Sequence, residues 1–111
     1  MAEYMLLYKG DATEAKDMDP EKSKEVMQKW GAWMSEIGDK MVNMGSPMNK
    51  RGVSIVDDGN EGTADMINGY SIIKAESMEE AKKLSKNHPF LTDGNGNFSV
   101  EIYEILPNPK M

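Results

Sequence analysis

The chain has 111 residues, a length that fits one small domain with one modest core. Its 19 acidic and 13 basic residues leave a net charge of −6, and the lysines are interspersed with acids, which argues against a nucleic-acid partner because phosphate binding draws on clustered Lys and Arg. With no cysteine the sequence excludes disulfides, thiolate metal sites and a cysteine nucleophile. No apolar run approaches the ~20 residues that span a bilayer and the N-terminus lacks a signal-peptide pattern, so no membrane partner is expected and the cytoplasm is the expected compartment.

Residues 3–8, EYMLLY, place Tyr4, Leu6 and Tyr8 on one side of a strand and Met5 and Leu7 on the other. Both sides are apolar, which predicts a central strand covered on two faces. A polar loop follows to Asp19. Asp19-Pro20 opens a helix, since Asp is a favoured N-cap and Pro suits the first helical position. Val26, Met27, Trp30, Trp33, Met34, Ile37, Met41 and Met44 recur at three and four, one helical stripe. The spacing predicts a helix from Pro20 to about Asn43, with Gly38 a point where another backbone can come close, and Gly45-Ser46-Pro47 as its stop.

Residues 48–57 predict a second strand around Val53, Ile55 and Val56. Asp57-Asp58-Gly59-Asn60-Glu61-Gly62 reads as a polar, mobile hairpin tip. Residues 66–75 predict a third strand with Tyr70, Ile72 and Ile73 as its core. Ser77-Met78-Glu79-Glu80 is a capping box for a second helix that buries Met78, Ala81 and Leu84. That helix stops at Asn87-His88-Pro89, because the residue before a proline is pushed out of the helical region. Residues 92–97 form a Gly/Asn loop. Residues 98–106 alternate as a fourth strand, and residues 107–111 form an extended tail.

The order β-α-β-β-α-β predicts an α+β, ferredoxin-like fold over the single domain 1–111: a four-stranded antiparallel sheet with both helices on one face. The second apolar face then needs cover. The simplest cover is the same sheet of a second copy, a homodimer about a two-fold axis.

Several stretches carry a resemblance. Tyr4-Met5-Leu6-Leu7-Tyr8, the run from Gly69 to Ser77 with its following acids, Asn87-His88-Pro89-Phe90 and Val100-Glu101-Ile102 resemble the YCII-related family, and more closely its DGPF-containing branch. The resemblance spans nearly the whole chain and implies a dimeric α+β barrel with a cleft between sheet and helix ends. Three departures stand out. The Asp-Gly-Pro-Phe signature is replaced by DDGNEGTADMIN. Tyr103 follows Glu101–Ile102 where an Arg is usual. The first helix has no histidine, and His88 holds the position of the family's aspartate, so the His–Asp pair of those relatives has no counterpart here.

His88, the single histidine, is the catalytic candidate. An imidazole titrates near neutrality, and a helix C-terminus favours its charged form, so it could act as general acid or base. The alternative is a structural cap that bonds the last helical carbonyls. Asp93 and Glu101 are its possible partners. Trp30, Trp33, Tyr70, Phe90 and Glu101 are the ligand-pocket candidates, against the plainer reading of the tryptophan stripe as core. The eleven methionines read as adaptable packing and not as a copper site. Asp57, Asp58, Glu61 and Asp65 lack EF-hand spacing, and no phosphate loop, zinc spacing or Ser-His-Asp order is present, so neither metal nor cofactor is expected. Three functions remain open: a homodimer that binds a small molecule, a small cofactor-independent enzyme using His88, and a structural or regulatory interaction protein.

Overall fold

A computed structural model of the chain describes residues 1–13, 17–91 and 96–107. The elements in chain order are β1 (Ala2–Lys9), α1 (Pro20–Ile37), β2 (Met41–Asn43), β3 (Val53–Ile55), β4 (Glu61–Thr63), β5 (Ile67–Ala75), α2 (Met78–Lys86) and β6 (Ser99–Ile105). Four strands form one antiparallel sheet in the order β2-β5-β1-β6, and β3 and β4 pair separately as a ribbon. This is the α+β, ferredoxin-like arrangement with a two-stranded insertion. The expected 92–97 loop and the 107–111 tail lie mostly outside the described residues.

β1 sits between β5 and β6, as its two apolar faces require. Its alternation is clean: Tyr4, Leu6 and Tyr8 are buried, whereas Met5 and Leu7 are half-buried. Register carries the same division across the sheet. Leu6 lies between Ser71 and Ile102, and Leu7 lies between Tyr70 and Glu101. The helices cover the first set. Tyr4, Leu6, Tyr8, Ile73 and Ala75 pack with Trp33 and Ile37 of α1 and Ala81 of α2. In β5 the helix-facing residues are Gly69, Ser71, Ile73 and Ala75, while Tyr70 and Ile72 look out from the other face. Of the expected β5 core, only Ile73 is fully buried.

α1 begins as expected: Asp19 accepts a hydrogen bond from the Glu21 amide at 3.1 Å, with Pro20 in the first turn. It ends six residues early. Gly38 adopts φ +59°, a left-handed conformation that breaks the helix, and its amide bonds back to the Met34 carbonyl. Nothing lies within 4 Å of where its Cβ would be, so Gly38 serves the turn and not a close backbone approach. Met41–Asn43, expected as helix, becomes the edge strand β2. Consequently the expected second strand at 48–57 meets the main sheet only at its start, where the Met48 amide bonds to the Asn68 carbonyl of β5. Its Val53–Ile55 portion pairs with Glu61–Thr63 around the Asp57–Asn60 turn. Met27 also leaves the helical stripe, at 71 % exposure.

α2 is capped as expected in outline. The Glu80 amide donates to Ser77 Oγ at 3.2 Å, and the Glu80 carboxylate reaches back to the amide of Glu76, one residue earlier than a strict capping box. Ala81 is buried and Leu84 half-buried, but Met78 is exposed.

Candidate ligand-binding site

The aromatic residues gather at one end of the sheet, under the second half of α1. Tyr8 stands at the end of β1 on the helix face. Trp30 meets it edge-on with ring centres 5.4 Å apart, and Phe90 lies 5.6 Å away. His88 is inserted among them: its ring centre is 4.5 Å from Tyr8, 4.5 Å from Trp30 and 4.3 Å from Trp33. Phe98, just before β6, extends the group from Phe90 at 5.3 Å. The edge-on pairings suit the quadrupoles of these rings. Trp30 and Phe90 are half-buried and form its outer members, whereas Trp33 and His88 are buried.

Local sequence explains how these side chains are held. Trp33 donates from Nε1 to the Leu84 carbonyl at 2.9 Å, which ties α1 to the last turn of α2. The chain leaves α2 at Asn87 and enters a short 3-10 turn at Pro89–Leu91, and this places His88 inward. Tyr8 donates to Ser71 Oγ at 2.6 Å, and Ser71 donates in turn to the Met44 carbonyl at 2.8 Å. Burial pushes the Tyr8 hydroxyl up to about 12, despite that hydrogen bond. Tyr8 is thus a fixed, neutral wall of the cluster.

His88 is 1 % exposed. Its Nδ1 accepts from the Phe90 amide at 3.0 Å, so the ring caps the turn as an acceptor, not as a donor to the helix carbonyls. That hydrogen bond assigns the ring proton to Nε2. Nε2 is buried and has no hydrogen-bond partner among the described residues. Burial pushes the imidazole down to about 3, overriding the helix terminus that favours its charged form. At neutral pH His88 is therefore an uncharged ring whose Nε2–H is unused among the described residues.

The sheet divides the remaining candidates. Trp30, Trp33, His88 and Phe90 come together around Tyr8. Tyr70 and Glu101 instead flank Leu7 on the opposite face. Glu101 is held there by Lys9 at 3.2 Å and accepts from Tyr103 at 3.4 Å, so it does not pair with His88. Asp93 lies outside the described residues. Tyr8, the hub of the cluster, is not among the pocket candidates, but its strand alternation with Leu6 puts it on the helix face. A shallow groove of about 310 Å³ runs outside the cluster, lined by Lys29, Ala32, Trp33, Glu36, Asn87 and Pro89. Two of these, Asn87 and Glu36, hydrogen bond at 3.1 Å.

Comparison with known proteins agrees with this fold. The model of the YCII-related domain matches residues 2–107. The chain belongs to the YCII-related family. No curated protein matches it. Among solved structures, 5-chloro-2-hydroxyhydroquinone dehydrochlorinase (TftG) from Burkholderia phenoliruptrix AC1100, in complex with 2,5-dihydroxybenzoquinone, is similar at a TM-score of 0.55 and 20 % identity, with 95 % of each chain covered. At that identity the likeness speaks for the fold. Among the described residues, no helix of this YCII-family chain is long and apolar enough to cross a membrane.

Proposed function

We propose that this YCII-family protein is a homodimer, joined through its open sheet faces, that binds a small planar oxygenated ring at the Trp30–His88–Phe90 cluster. One observation carries the ligand reading: among the described residues the buried His88 Nε2–H has no acceptor, within an enclosure of aromatic rings. An unmet buried donor costs about 1–3 kcal/mol, and a ligand oxygen that accepted from it would recover part of that cost. Flat aromatic walls suit a flat guest. Trp30 and Phe90, the half-buried outer members, are the side chains that would swing to admit it. The likeness to a protein solved with a dihydroxybenzoquinone supports the same ligand class. On this reading His88 orients the ligand and does not shuttle protons. An imidazole held at about 3 is a poor match for acid–base work near neutral pH.

Isothermal calorimetry with 2,5-dihydroxybenzoquinone, catechol and cyclohexanol tests it. The wild-type chain is expected to bind the flat, oxygenated rings and to ignore cyclohexanol. Trp30→Ala should weaken binding by about tenfold, the worth of one aromatic stacking contact. Absence of heat from every flat ring, or equal binding of cyclohexanol, would sink the proposal.

A further inference from the structure

The β3–β4 ribbon has apolar residues that the other described residues leave largely exposed. Val53 is 68 %, Ile55 77 % and Val56 47 % exposed. Val53 and Ile55 alternate with Ser54, so they share one side of the ribbon. The ribbon continues the ladder between β2 and β5. Pro47 bridges to Gly69, the Met48 amide bonds to the Asn68 carbonyl at 2.8 Å, and the two runs pair again at Val53–Thr63 and Ile55–Glu61. It therefore projects past the end of the sheet, for about 13 Å beyond Gly52 at a strand's rise. Its base is pinned by ion pairs, Lys9 with Asp65 at 3.0 Å and Lys50 with Asp11, and by Lys50 donating to the Ala12 carbonyl at 2.7 Å. A two-stranded hairpin by itself is marginal in water, and this one has three pairs and an apolar side in solvent.

We infer that the β3–β4 ribbon is an arm that lies against the second copy of this chain, with Val53 and Ile55 as its contact residues. This deepens the homodimer reading and rests on it. Three observations choose a second copy as the occupant. The chain exposes 8024 Å², whereas a compact monomer of 12.4 kDa exposes about 6,100 Å² by the usual scaling. The excess, about 1,900 Å² per chain, falls in the range buried by obligate homodimers. The radius of gyration is likewise 15.5 Å against about 13 Å for a compact domain of this length. The arm is also continuous with the open face, because it grows from β5, whose Tyr70 and Ile72 stand on that face beside Leu7 and Met5. A two-fold axis then uses each arm once on each partner. The acidic tip, Asp57 and Asp58, stays in water while the apolar shaft makes the contact.

Sedimentation equilibrium and a spin label test the arm separately from the dimer. The chain has no cysteine, so Glu61→Cys, opposite Ile55, takes a single nitroxide. Wild-type protein is expected to dimerise, and the label to be immobilised in the dimer and mobile on dilution to monomer. The double variant V53S/I55S should dissociate about tenfold or more readily, since each buried aliphatic side chain contributes at that level or above. Both positions are exposed, so the variant monomer should keep the wild-type circular dichroism. If the variant and wild-type dimers dissociate alike, or the label is equally mobile in dimer and monomer, the arm proposal falls and the sheet-face dimer stands. A wild-type chain that stays monomeric at every concentration overturns both.

Discussion

His88 shows how one residue's surroundings decide its chemistry. Its Nδ1 is occupied by the Phe90 amide and the ring is enclosed by Tyr8, Trp30 and Trp33. Protonation would put a charge among apolar rings and remove the acceptor that holds the turn. The folded pKa, about 3, lies below the ordinary 6.5. Between these values the unfolded chain binds a proton that the folded chain refuses. The stability due to the neutral ring is therefore complete above pH 6.5 and declines as pH falls toward 3. Well inside that window the slope approaches about 1.4 kcal/mol per pH unit. The carboxyls of Asp11, beside the Lys50 ammonium, and Glu80, accepting the Glu76 amide, are also lowered, but the stability they contribute is lost only at more acid pH, below their ordinary values of 3.8 and 4.5. Urea unfolding from about pH 6 to 5 should thus show a slope that His88→Asn removes, whatever that variant costs at neutral pH. Equal slopes in both proteins would contradict the assignment. His88 follows Leu84 by four residues, a helical spacing that shares its inward side, and it lies there, 1 % exposed. The sequence could not show the degree of enclosure, because Tyr8 arrives from a strand and the tryptophans from α1.

At the scale of elements, three glycines have three different duties. Gly31 lies in mid-helix with open space around it. Gly31→Ala should stabilise the protein by roughly 0.5–1 kcal/mol, the ordinary propensity difference. Gly38 makes the left-handed stop of α1. Gly45 has φ +78°, and a Cβ there would stand 1.6 Å from the Tyr70 carbonyl oxygen. Gly45→Ala should therefore cost several kcal/mol and detach β2 from β5, since backbone faces backbone and neither can give way. Thermal unfolding of the two variants gives opposite signs; a tolerated Gly45→Ala would refute the close approach. Helical periodicity that runs on through Met41 and Met44 hid the early stop at Gly38. The stripe continues in the sequence, but a positive φ sends those methionines into a strand and its following loop. Because β2 begins at Met41, the run around Val53 was released from the main sheet to build the ribbon. The family motifs were legible because β1, β5, α2 and β6 each keep their own period and caps. The division of the pocket candidates was less so. Tyr70 follows the parity of Ile72, opposite to Ser71 and Ile73, and only the register with Leu7 shows that it and Glu101 share the far face.

For the whole molecule, the question is what covers that far face. Met5, Leu7, Tyr70 and Ile72 are half-buried and Tyr103 is 55 % exposed, framed by the Lys9–Glu101 ion pair. A monomer would leave this apolar field in water, which soluble monomers rarely do over large areas. Ile72→Glu places a carboxylate at its middle. In a sheet-to-sheet dimer that charge is buried without a partner on both subunits, so dissociation should become easier by at least about a hundredfold. Light scattering across a dilution series reads this directly, and an unaltered dimer would move the interface elsewhere. The fold class followed from the order of helices and strands, and the two apolar faces of the sheet from the alternation in β1. The projecting arm did not, because its residues read equally well as an ordinary sheet strand.

The central place of β1 also governs the time course of folding. Its neighbours are far along the chain: Tyr8 and Ser71 are 63 residues apart, and Lys9 and Glu101 are 92 apart. Every ladder that β1 forms closes a long loop, so its contacts come at a high entropic cost and late. Until β5 and β6 have been synthesised, β1 waits with two apolar faces and two unpaired edges, the kind of strand that invites aggregation. The topology predicts that capture of β1 between two strands that are both distant from it limits the rate of folding, and that a chain halted before this step is the one that aggregates.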